Sequence, residues 1–174
     1  METDRFVLFL EKIGNHPGFN LKPYGLMIRT LTETEFYCGK LDEEKQIFIS
    51  EWKETSRNMN EYDFQQNLLL SIEAFHSVGM DKVNILADSQ KFLYSQTPES
   101  VQWASELISQ EMMENHVEMM AVVLPQKIFQ SMTISKAVST INKIGGGELL
   151  VRNFGSVQDA ENWLMAHSKT LKSA

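Results

Sequence analysis

Residues 83–103 read VNILADSQKFLYSQTPESVQW, and the division of that stretch decides the fold. Val83 to Ala87 is a short apolar run ending at Asp88, the pattern of a buried strand. Thr97-Pro98-Glu99 is a helix start: an N-cap hydroxyl, a proline in the first turn, then an acid on the positive end of the helix dipole. Val101, Ala104, Ile108 and Met112 recur at helical spacing and give that helix an inner face. A strand leading through a loop into a helix implies a sheet built from parallel crossovers.

The same alternation continues downstream. Met119 to Leu124 is a second buried strand closed by Pro125, a helix follows over Phe129 to Ile144, and Leu149 to Phe154 is a third strand. Ser156 with Asp159 opens a last helix whose Val157, Ala160, Leu164 and Leu171 face a core. Because the three apolar runs are each separated by a helix, they are expected to lie parallel. Upstream, Asn60 with Asp63 reads as a capping box, Phe64, Leu68, Ile72 and Phe75 form an apolar stripe, and Gly79 suits the C′ position. Phe36 to Leu41 and Gln46 to Trp52, separated by Asp42-Glu43-Glu44, read as an antiparallel hairpin. Within it, Ile47, Ile49 and Glu51 take one face and Phe48, Ser50 and Trp52 the other. Residues 15–33 hold Pro17, Gly18, Pro23 and Gly25 and read as a connector without a period. Before it, Phe6, Phe9, Leu10 and Ile13 share one helical face, which predicts an accessory helix docked on the main domain. The expected division is therefore 1–33 for the helix and connector and 34–174 for an α/β domain.

The 174 residues suit one domain, and a chain of that length buries about 70% of its unfolded surface without a disulfide or metal. Sixteen basic against 23 acidic residues give a net charge of −7, which argues against a non-specific nucleic-acid or anionic-membrane binder. The single cysteine, Cys38, excludes an intrachain disulfide framework and a cysteine zinc cluster. The N-terminal apolar patch is too short for a signal peptide or a membrane span, so the cytoplasm is the expected compartment.

Recognisable catalytic patterns are missing. Gly145-Gly146-Gly147 follows a helix and leads into a strand, the reverse of a phosphate loop, and reads as a helix stop and tight turn. Glu114, His116 and Glu118 could converge on a metal if extended, but a polar turn between helix and strand is the simpler account. His76 and His167 sit near helix ends, where dipole or packing roles are expected, and Met112, Met113, Met119 and Met120 read as core filler. No metal or cofactor is expected. The stretch best placed for function is the loop ADSQKFLYSQTP from Ala87 to Pro98, because ligands and partners gather beyond the carboxyl ends of parallel strands.

IFISEWK (47–53), VNILADS (83–89), TPESVQW (97–103), MMAVVLP (119–125) and VQDAENW (157–163), in that order, resemble the SpoIIAA-like group of the STAS superfamily (sulfate transporter and anti-sigma-factor antagonist) over about residues 34–170. The resemblance implies a four- or five-stranded mixed sheet, an N-terminal hairpin plus parallel strands, covered by helices. It also implies protein interaction or ligand sensing rather than catalysis. Signalling members are phosphorylated on a serine at the corresponding helix start. Thr97, within Ser95-Gln96-Thr97-Pro98-Glu99, is the nearest positional match, but the Asp-Ser pair and following glycines are absent, so no phosphoswitch is expected.

The expected function is a non-enzymatic binding or regulatory domain that meets a protein partner or small apolar ligand through Asp88, Ser89, Phe92, Tyr94, Ser95, Thr97 and Trp103. Homodimerisation stays open. Two alternatives remain: a carrier of lipid or small molecules similar to the CRAL-TRIO folds, which needs a large apolar cavity, and an enzyme, which needs converging titratable groups in a deep pocket. If the loop is a recognition surface, Phe92, Leu93 or Tyr94 should be partly exposed. If Trp163 is fully buried, its replacement by alanine should cost about 3–5 kcal/mol.

Overall fold

The computed structural model describes residues 28–80 and 82–171. The expected accessory helix over Phe6 to Ile13 lies outside the described residues. The chain builds six strands, β1 (Ile28–Glu33), β2 (Tyr37–Asp42), β3 (Ile47–Trp52), β4 (Asn84–Asp88), β5 (Met119–Val123) and β6 (Leu150–Phe154). Four helices complete it: α1 (Glu61–His76), α2 (Pro98–Glu114), α3 (Ile128–Ile144) and α4 (Val157–Leu171), with a short 3-10 helix over Glu54–Asn58.

The strands lie side by side in chain order, β1 through β6, in one mixed sheet. β1, β2 and β3 pair antiparallel, and β3 to β6 run parallel, so the three apolar runs are parallel as their spacing predicts. Chain order has a geometric consequence. Parallel crossovers are right-handed, so three successive crossovers in one direction place α1, α2 and α3 on the same face. α4 follows the last strand, turns back and packs on β4, β5 and β6, where it covers Leu86, Met119, Ala121 and Val123 on the opposite face.

Local chemistry sets the helix ends. Asn60 Oδ1 accepts from Asp63 N and Asp63 Oδ2 from Asn60 N, each at 3.0 Å, a reciprocal capping box. Thr97 Oγ1 accepts from Ser100 N at 3.1 Å with Pro98 in the first turn, and Ser156 and Asp159 bond in the same way ahead of α4. Gly145 caps α3, and Gly146 and Gly147 turn the chain at φ 59° and 98°, a region side chains resist.

Three expectations need correcting. The connector contains β1, so the sheet begins at Ile28, ahead of residue 34, and has six strands rather than four or five. β1 adds by backbone pairing to β2 across a bulge at Thr30–Thr32, with little side-chain burial to announce it. α1 ends on Ser77 as C-cap, so Gly79, at φ 61°, stands one residue past the C′ position. Among the four methionines read as filler, Met112, Met119 and Met120 are buried but Met113 is exposed.

Candidate binding cavity

Strand alternation decides what faces the helices. Phe48, Ser50 and Trp52 of β3, Ile85 and Ala87 of β4, and Met120 and Val122 of β5 look toward α1, α2 and α3. Between that face and the helices lies a cavity of about 150 Å³. Its origin is a set of small residues where bulk would close it: Ser50, Ala87, Ser89, Ala104, Ser105 and Ala137. The buried Ser105 hydroxyl donates to Val101 O at 2.7 Å, so its polarity is spent within its own helix. Apolar side chains finish the wall, among them Phe64, Leu68, Phe75, Ile108, Met112, Ile134 and Ile141.

Glu111 is the titratable side chain in that wall among the described residues. Its Oε2 lies 2.8 Å from His76 Nε2, and Asn115 Nδ2 sits 3.2 Å from the same ring nitrogen, a polar clasp joining the C-terminal turns of α1 and α2. His167 places Nδ1 3.0 Å from Trp163 O. Glu114, His116 and Glu118 are all exposed, with His116 at φ 54° in the turn, and no metal-holding group of three such side chains occurs among the described residues.

The seven residues singled out from the sequence separate. Ser89 is buried, lines the cavity and donates its backbone N–H to Val123 O at 3.0 Å. Phe92 also lines the cavity; it is 3% exposed, with its ring 5.1 Å from Trp52 and 6.1 Å from Phe64. Tyr94 is half-buried, stacks on Phe64 at 5.4 Å and donates its hydroxyl to Glu61 Oε2 at 2.8 Å. Trp103 is half-buried and meets Phe64 edge-on at 6.4 Å. Ser95 is exposed, and Thr97 is exposed and engaged as the N-cap. Asp88 leaves the group: Leu86 packs under α4, and Asp88, two residues on, shares that side, near Glu51, Lys91 and Lys40. Burial raises the Asp88 pKa, partly offset by the bond that Gln90 N–H donates to its Oδ1.

Leu93 and Tyr94 are thus partly exposed, as a recognition surface would require, whereas Phe92 is buried. Ser56, more than thirty residues upstream and in no recognisable motif, explains the loop's path. Fully buried in the 3-10 helix, its hydroxyl donates to Lys91 O at 3.2 Å and accepts from Leu93 N at 2.9 Å, which aims Phe92 inward.

Tyr94 makes a pH-dependent contribution. Burial first, then the adjacent Glu61 carboxylate, pushes its phenol from 10.0 up to about 12. The neutral phenol is favoured in the folded state, so its contribution is complete below the unfolded value and is lost as pH rises toward the folded one. Melting curves across pH 10–12 should show wild type losing more stability than Tyr94→Phe; parallel losses would contradict the Glu61 contact.

Among the described residues, no helix is long and apolar enough to cross a membrane. Comparison with protein-family models, curated proteins and solved structures finds no match for the chain.

Proposed function

We propose that this chain is a non-catalytic binding domain that holds a small apolar molecule between its sheet and α1–α3, with Ser89 and Phe92 of the loop after β4 in the wall. The observation that carries the reading is the cavity, whose lining is apolar apart from a few hydroxyls, Gln96 and the clasped Glu111. Catalysis would need several titratable groups converging on one point, and Glu111 alone does not supply them. Volume narrows the ligand class. An apolar cavity of about 150 Å³ accepts benzene or xenon, whereas pockets for drug-sized ligands run to roughly 300–1,000 Å³. A single ring or short aliphatic chain fits this space better than a long-chain lipid, which weakens the lipid-carrier alternative. Kinship with the SpoIIAA-like STAS proteins is part of the same proposal, supported by the order of hairpin, parallel strands and covering helices.

Benzene titrated into wild type during thermal melts tests the reading. Ligand at about 100 times Kd stabilises by about 2.7 kcal/mol, which raises Tm by about 5–10 °C in a domain of this size. Ala104→Phe, which fills the cavity from α2, should remove the response. An absent shift in wild type, or an equal shift in the filled variant, would reject the cavity as a binding site.

A further inference from the structure

The inner face of α3 lines the cavity through Ile134, Ala137, Val138 and Ile141, but its outer face is unusual. Ile128, Phe129 and Met132 are 73%, 83% and 66% exposed, a cluster of large apolar side chains in the first turns. At about 100° per residue, Lys136, Ser139 and Lys143 continue the same outward side, and all three are exposed. From Met119 to Gly147 the sequence holds Lys127, Lys136 and Lys143 and no aspartate or glutamate, within a chain of net charge −7. Of the other described lysines, Lys40, Lys45, Lys53 and Lys91 each face a carboxylate within 4 Å, and Lys82 does not. Lys127, Lys136 and Lys143 form no such pair among the described residues.

We propose that the outer face of α3 docks on an anionic lipid bilayer surface, with Ile128, Phe129 and Met132 entering the interface and Lys127, Lys136 and Lys143 meeting the headgroups. An amphipathic surface helix binds this way: apolar side chains enter the boundary between headgroups and acyl chains while lysines remain at the charged layer. The net charge of −7 weighs against binding by the chain as a whole, but screening limits each charge to about 8 Å at physiological ionic strength, and within that reach the α3 face is cationic. A second copy fits less well. A twofold contact through this patch would oppose the unpaired lysines of both copies. The proposal stands apart from the cavity and needs no ligand in it.

The full chain carrying Met132→Cys tests it, labelled with a polarity-sensitive fluorophore. Cys38, the chain's own cysteine, is 5% exposed and burial raises its thiol pKa, so labelling falls on position 132. In buffer the label should report water. Phosphatidylcholine vesicles containing phosphatidylserine should shift its emission to the blue, and phosphatidylcholine alone should not. Lys127→Glu/Lys136→Glu, exposed changes checked for folding by circular dichroism, should weaken the response about tenfold or more. Ala104→Phe should retain it, which separates failure here from failure of the cavity reading. No shift on anionic vesicles, or a shift indifferent to the lysines, overturns the proposal. Blue emission already in buffer also overturns it: loss on dilution would assign the patch to a second copy, and persistence would assign it to another part of the same chain.

Discussion

Replacing both Phe92 and Tyr94 by serine is expected to unfold the protein. Phe92 is packed against Trp52 and Phe64, and Tyr94 stacks on Phe64 and meets Phe92 edge-on while bonding Glu61. Truncating one buried phenylalanine costs about 3–5 kcal/mol, and serine adds a hydroxyl to an apolar site. The stacking and hydrogen bond of Tyr94 come on top, against a total stability that for most domains is about 5–15 kcal/mol. The near-UV circular dichroism of Trp52 and its neighbours should collapse, and any remaining transition should fall well below that of wild type. A double variant that melts with wild type would return the loop to the role of an exposed recognition surface.

The second large effect is expected on the opposite face. Leu164 and Ala160 of α4 are both fully buried, against Leu86, Ala121 and Val123. Leu164→Ala removes most of a large side chain that α4 buries completely there, at a cost of about 2–5 kcal/mol. Urea unfolding should show the midpoint falling with the slope unchanged. Trp163, expected from sequence to matter if fully buried, is half-buried between Phe154, His167 and Arg152, whose guanidinium carbon lies 5.5 Å from the ring centre. Trp163→Ala should therefore cost less than the full-burial figure. Equal losses at positions 163 and 164 would show that α4 anchors through both.

Legibility follows the range of the interactions involved. Helix starts at Asn60, Thr97 and Ser156 are readable because a cap and its partner lie three residues apart. The parallel strands are readable because burial on both faces leaves continuous apolar runs such as Met119 to Val123. β1 is not, since IRTLTE is mostly exposed and becomes a strand through the backbone of β2. The cavity could not be read either. It consists of side chains that are too small, and Ser50, Ala87, Ala104 and Ala137 come from four separate elements. Asp88 adjoins the loop in sequence, but strand alternation sends its side chain to the other face, with Leu86.

The sheet's chain-order arrangement also shapes how the molecule can be made. Each strand pairs with the one synthesised just before it, so from β1 to β6 every addition extends an existing edge, first through two tight turns and then through crossovers that each carry a helix. A nascent chain can thus grow its sheet strand by strand as it leaves the ribosome. The exception is the cover over Leu86, Ala121 and Val123, which α4 provides only after β6 has been made. Until α4 emerges, that apolar strip faces water, and a chain truncated before Val157 would leave it permanently open to aggregation.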